Sequence, residues 1–270
     1  MQRWALGVQY DGSSWHGWQT QPSRHTVQDQ LERALHEFAC TPIAVTCAGR
    51  TDAGVHALEQ VVHFDCALDR MPSSWVRGVN RYLPPSIAIR WASVIPGVGT
   101  GDVAQEFHAR FSARSRTYCY VLYNHPMRSP LWASRAGWVF RPLDVERMQR
   151  AADLLIGTHD FTTFRAADCQ ARTPVKTVYA IDVVRHGNLV VLTVRANAFL
   201  QHMVRNLVGA LIYVGTGRQE PNWLGELLLE RNRHLAAPTF SPDGLYLAKI
   251  DYDPSWQLPQ SPLAPVDLFF

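Results

Sequence analysis

The sequence predicts an α+β fold made of two similar ferredoxin-like (split β-α-β) halves, and three observations lead there. Apolar periodicity reads β-α-β-β-α-β up to Ile95, the same order returns in longer pieces after Arg116, and a glycine-rich stretch separates the two. Two halves of one topology imply antiparallel sheets, a pseudo-twofold relation and a ligand cleft where the halves meet.

In the first half, residues 6–10 read as a strand. Residues 26–39 read as a helix with Val27, Leu31, Ala34, Leu35 and Phe38 on one face and Thr26 as its cap. β-branched runs at 43–46 and around 61–64, a helix over 73–82 and a strand over 87–95 complete it. The stretch Pro96-Gly97-Val98-Gly99-Thr100-Gly101-Asp102 lacks apolar periodicity and reads as a loop, which sets a boundary between 1–105 and 106–270. In the second half, a strand over 117–123 and a helix over 144–156 precede strands at 178–184 and 189–195, joined by a Gly187-Asn188 hairpin turn. Helices over 201–214 and 223–230 and a strand over 246–251 follow. The tail from Pro254 carries Pro259, Pro262 and Pro265 and reads as extended or poorly ordered. Its apolar end, Leu268-Phe269-Phe270, suits docking on the body or on a partner subunit.

Composition bounds the function. With 270 residues, 47% hydrophobic and 18% charged, the chain fills a core and does not read as disordered. The net charge of +3 neither demands nor excludes nucleic acid, since a local basic stripe decides phosphate binding. Arginine greatly outnumbers lysine, which favours paired hydrogen bonds to phosphate and stacking on bases. Five cysteines, widely spaced and never in a Cys-x-x-Cys pair, suggest neither a disulfide framework nor a zinc site. There is no signal-like N-terminus and no membrane-length apolar run, so the expected location is the cytoplasm.

The most informative stretch is Ala48-Gly49-Arg50-Thr51-Asp52-Ala53-Gly54-Val55-His56-Ala57. It sets an arginine and a carboxylate two residues apart between glycines that free the backbone to turn and leave room for a bulky ligand. On residue types alone it reads first as a charged turn with Thr51 or Asp52 as a cap. The order of the residues, however, closely resembles the signature of the TruA-type tRNA pseudouridine synthases. Further segments agree in the family's order: Arg116-Thr117-Tyr118-Cys119-Tyr120, Gly157 to Phe164, Phe199 to Asn206, and Pro242-Asp243-Gly244-Leu245-Tyr246-Leu247.

The resemblance implies isomerisation of uridine to pseudouridine at positions 38, 39 and 40 in the anticodon arm of tRNA, by a homodimer that uses no cofactor and no metal. It implies Asp52 as the catalytic nucleophile and Arg205 as its counter-ion. Tyr118 would stack on the target base and accept or relay a proton. Arg50 would fill the space left by the extruded nucleotide and contact phosphate, and Leu245 would line the uracil pocket. Read without the resemblance, Tyr118 is first a core aromatic of its strand, and Leu245 equally a core residue of its own. For the rest of the RNA, Arg24, Arg77, Arg81, Arg110, Arg114, Arg116, Arg165 and Arg172 are candidate contacts, with Trp15, His16 and Trp18 as stacking groups.

The reaction explains these needs. It breaks the bond from ribose C1′ to base N1 and makes one to C5, without adding atoms or changing redox state. It therefore needs a carboxylate, a proton acceptor and access to a nucleotide drawn out of the stack. Two other readings compete. A non-catalytic pair of RNA-binding modules would share the topology but lacks a clear aromatic-basic signature. A glycoside hydrolase would need a second carboxylate beside Asp52, with Asp11, Glu59 and Asp65 nearest in sequence.

Overall fold

The computed structural model describes residues 1–96 and 107–259. Those within Met1–Arg114 and Leu247–Phe270 form one compact unit, and Ser115–Tyr246 form a second. The glycine-rich stretch beyond Pro96, with the expected boundary at 105, lies outside the described residues.

In the first unit the order is β1 (Gln2–Tyr10), α1 (Val27–Ala39), β2 (Thr46–Cys47), β3 (His56–Cys66), α2 (Pro72–Asn80) and β4 (Ile87–Val94). β1 lies between β3 and β4, antiparallel to both, and β2 pairs with the far edge of β3. Thr26 caps α1 as expected, accepting a hydrogen bond from the Asp29 N–H. The core gathers around Trp75 of α2, whose ring lies 5.4 Å from Trp4, 5.2 Å from Phe64 and 5.0 Å from Phe38. Large aromatic surfaces buried together in this way anchor the helices on the sheet.

The run at 43–46 departs from the expected strand, since only Thr46–Cys47 pair with β3. Ile43 and Val45 are buried, but the Val45 N–H donates to the Glu32 carboxylate of α1 at 3.0 Å and so is taken from any ladder. The tail also differs. Instead of an extended start it makes a 3-10 turn, Pro254–Trp256, begun by Asp253 accepting from the Ser255 N–H, and Trp256 packs 5.4 Å from Phe107.

The second unit runs β5 (Ser115–Asn124), β6 (Gly137–Val139), α3 (Val145–Asp153), β7 (Gly157–Asp160), β8 (Val175–His186), β9 (Leu189–Ala196), α4 (Met203–Gly215) and α5 (Trp223–Glu230). Its strands are ordered β5-β9-β8-β7, antiparallel throughout, with β6 added parallel to β5. Gly187, at φ +58°, makes the tight β8–β9 turn. Gly157–Asp160, where no strand was expected, is a short strand on β8. The last strand, β10 (Leu245–Asp251), is divided: Leu245 and Tyr246 fall in the second unit and the residues from Leu247 in the first.

Candidate active site

Asp52 lies in the loop that joins β2 to β3, and the first unit fixes that loop at nearly every residue. At its start, the Gln60 side chain, wholly buried on β3, brackets Gly49: its Nε2 donates to the Gly49 carbonyl at 2.5 Å and its Oε1 accepts from the Gly49 N–H at 3.4 Å. In the middle, the Thr51 and Tyr10 hydroxyls are hydrogen-bonded at 2.8 Å, and the Trp18 N–H donates to the Thr51 carbonyl at 3.0 Å. Asp52 itself starts a tight turn, its carbonyl accepting from the Val55 N–H at 3.1 Å. Gly54, at φ +80°, completes the turn and donates to the Trp15 carbonyl. Such a φ strains any side chain, which is why this place takes glycine.

The segment before α1 supplies the other wall. Gly17, at φ +85°, passes so close beneath the loop that a Cβ there would stand 2.8 Å from the Thr51 carbonyl oxygen. Trp15 and Trp18, expected as stacking groups for RNA, are buried, Trp18 to 1% exposure. They serve as core under the loop, because their backbones carry the bonds that hold it. His16 does remain exposed. The Asp52 side chain is half-buried and Arg50 is exposed.

Two of the three neighbouring carboxylates, Asp65 and Glu59, are engaged elsewhere. Asp65 forms a two-point pair with Arg3, at 2.8 Å for each bond, and this holds its carboxyl below the usual range. Glu59 is next to Gln60 on β3 and so faces the other side of the strand. There it accepts from the Trp91 indole at 3.1 Å in a small pocket of about 30 Å³ shared with Lys249 and Tyr252, and burial raises its carboxyl above the ordinary value. Neither is placed as the second acid of a hydrolase.

In the second unit, Tyr118 lies on β5, buried, with its ring edge-on to Phe199 at 4.9 Å. Arg205 occupies the first turn of α4, half-buried among Met203, Val204, Leu207 and Val208. Its Nε donates to the Phe240 carbonyl at 2.8 Å, and its own carbonyl accepts from the Phe240 N–H at 3.3 Å. This clamp fixes the plane of the guanidinium. Leu245 opens β10, buried, just after Gly244, where a Cβ would meet the Val121 carbonyl oxygen at 2.2 Å. Of the proposed RNA contacts, Arg24, Arg77, Arg81, Arg110 and Arg172 are exposed. Arg116 donates to the Asn197 carbonyl at 3.0 Å, Arg165 bonds the Cys169 carbonyl, and Arg114 is paired with Asp253.

Sequence reasoning missed Tyr10, Gln60 and Gly17. Tyr10 and Gln60 sit inside strands and carry no motif of their own, and only the fold brings them to the loop. Among the described residues no group of three or more His, Cys, Asp or Glu side chains could hold a metal ion, and no helix is long and apolar enough to cross a membrane.

The family profile described as tRNA pseudouridine synthase matches residues 7–100 and 151–253, which takes in the Asp52 loop and Arg205. The chain is 64% identical over 258 residues to tRNA pseudouridine synthase A of Janthinobacterium sp. (strain Marseille), covering 96% of this chain and 94% of the relative. It is 64% identical over 259 residues to the protein of that name from Herminiimonas arsenicoxydans, covering 96% and 93%. A third relative so named, from Paraburkholderia phytofirmans, is 58% identical over 259 residues, with the same shares covered. A crystal structure of a Cbf5-Nop10-Gar1 complex matches at 12% identity and a TM-score of 0.36, over 90% of this chain and 48% of that one, too slight a likeness to define the fold. The chain belongs to the tRNA pseudouridine synthase family, and it is an isomerase that converts uridine to pseudouridine in tRNA.

Proposed function

We propose that the chain modifies uridines 38, 39 and 40 of the tRNA anticodon arm, with Asp52 as nucleophile on a nucleotide drawn out of the stack. The observation that carries this reading is the fixed Asp52 loop, in which a half-buried carboxylate is held by backbone and hydroxyl bonds on both flanks. Attack at C1′ and loss of the base through a glycal both start from an ionised Asp52. A carboxylate that reacts in a pocket dry enough to hold uracil calls for a fixed cation beside it. Arg205 is the proposed counter-ion, and the clamp on Phe240 that orients its guanidinium supports the role.

Tyr118 is the proposed stacking partner of the target base and its hydroxyl the proton acceptor or relay. Arg50, exposed in the same loop as Asp52, is proposed to fill the gap left in the RNA and to bind phosphate. Leu245 lines the uracil pocket in this reading. The rearrangement conserves atoms and electrons, so the chemistry asks for neither metal nor cofactor.

The same reading makes the molecule two ferredoxin-like halves related by a pseudo-twofold, the first carrying the Asp52 loop and the second the Tyr118 strand and the Arg205 helix. The repeated order supports it: β1-α1-β2-β3-α2-β4 and then β5-α3-β8-β9-α4-β10, with β6, β7 and α5 as additions. The protein acts as a cytoplasmic homodimer in this proposal, where its tRNA substrate resides. The test is incubation with unmodified tRNA, followed by carbodiimide treatment and primer extension. Stops one nucleotide 3′ of positions 38, 39 and 40 are expected, and alkali-resistant adducts confined to another arm would overturn the assignment.

A further inference from the structure

The segment Phe107–Ser112 holds an exposed aromatic ring that the reaction as described does not use. Phe111 is 77% exposed, although a phenyl ring in water forgoes the burial that most such rings find. Its position is nevertheless fixed. The His108 ring stacks on it at 4.3 Å and 30°, and the Arg110 guanidinium lies 5.7 Å from its centre. His108 is itself locked, with Nδ1 accepting from the N–H groups of Arg110 and Phe111 at 3.1 and 3.3 Å, and with its ring 4.8 Å from that of His63.

His63 ties this turn to the base of the Asp52 loop. It accepts from the Ala109 N–H at 3.2 Å and stands opposite Thr46 in the β2–β3 register, where β2 leads directly into Gly49 and Arg50. Burial pushes the Cys47 thiol at the end of β2 up to about 11, and Arg50 and Arg110 both work against that rise. Two exposed arginines and an exposed ring backed by an imidazole thus flank one strand end. Bases need a π-face and phosphates a planar cation, and this pairing is how single-stranded RNA is held without sequence readout.

The geometry points to Phe111 as a stacking platform for an unpaired base of the tRNA next to the isomerised nucleotide, with Arg110 on the adjoining phosphate. The inference rests on the Asp52 loop being the reaction site. It adds a contact outside the uracil pocket that grips the strand while its neighbour is extruded.

The test measures binding of unmodified tRNA by anisotropy and turnover under single-turnover conditions. Phe111→Ala should weaken binding roughly tenfold, and Phe111→Leu should do the same, because leucine keeps apolar bulk without a π-face. Phe111→Trp should bind within about twofold of the parent. Arg110→Ala should lower the slope of log K against log salt by about one, whereas Phe111→Ala leaves the slope unchanged. Leucine binding as well as phenylalanine, or Phe111→Ala leaving affinity intact, would overturn the proposal. So would Phe111→Ala changing the oligomeric state on sizing, since the ring would then cover a second copy. Asp52→Asn run in parallel separates the two readings: if that variant still turns over while Phe111→Ala loses affinity, the nucleophile assignment fails and the stacking contact stands.

Discussion

The Tyr10 and Thr51 hydroxyls, 41 residues apart in the chain, meet at 2.8 Å in the interior, one residue before Asp52. Tyr10→Phe should leave the buried Thr51 hydroxyl without this partner and cost about 1–2 kcal/mol of stability. Turnover should fall several-fold with little change in tRNA affinity, since the bond orients Asp52 and does not face RNA. Urea unfolding and single-turnover rates check this, and an unchanged rate would show that the bond supports folding only.

Asp52→Asn should keep the fold and tRNA affinity, because shape is preserved and affinity rests mainly on phosphate contacts. Turnover should drop by several orders of magnitude. Pseudouridine formation within about tenfold of the parent, ~1.4 kcal/mol in barrier, would remove Asp52 from the chemistry.

Arg205→Lys should slow turnover by about tenfold or more while tRNA binding changes little. Lysine keeps the charge but cannot hold the Phe240 carbonyl and a second acceptor in one plane. Arg205→Ala should be worse, because it removes the cation proposed to stand opposite the Asp52 carboxylate as well as the clamp on Phe240. Arg205→Ala turning over as fast as the parent would unseat Arg205 as the counter-ion.

His63 supplies a pH dependence of stability. Burial, then the His108 ring and Arg3, lower its pKa to about 4, against a smaller opposing effect of Asp65. Between about pH 4 and 6.5 the unfolded chain therefore binds a proton that the folded one does not, so stability rises with pH across that window and is lost on acidification. After allowance for solvent screening the effect should be on the order of 1–2 kcal/mol. Unfolding at pH 4.5, 5.5 and 7 should show it, and His63→Leu should flatten the curve over the same range.

Turnover should survive exhaustive EDTA treatment when the tRNA is refolded beforehand. Loss of activity restored only by zinc or another transition metal would reveal a metal requirement that the isomerisation itself does not impose.

Much of the fold was legible because local rules and tertiary packing agree there. Thr26 caps α1, Asp144 caps α3 and Gly187 turns the β8–β9 hairpin as the residue types imply. The errors fall where a distant partner decides. Glu32 takes the Val45 donor and shortens β2, while β8 recruits Gly157–Asp160 as a strand. The signature around Asp52 was equally plain in sequence, but what holds it was not. Trp15 and Trp18 looked like surface aromatics because nothing local reveals that Gly17 and Thr51 pack together.

That packing bears on where the work of substrate distortion falls. Gly49, Thr51 and Gly54 are each tied to interior groups, so swinging Asp52 outward would mean parting Gln60, Tyr10, Trp15 and Trp18 from their partners at once. A loop so restrained behaves as an anvil. With Asp52 as the proposed nucleophile the uridine must come to the loop, so differences in rate between substrates should track how readily each RNA gives up its stacking, and a nick or mismatch beside the target should speed a slow substrate more than any loosening of the protein would.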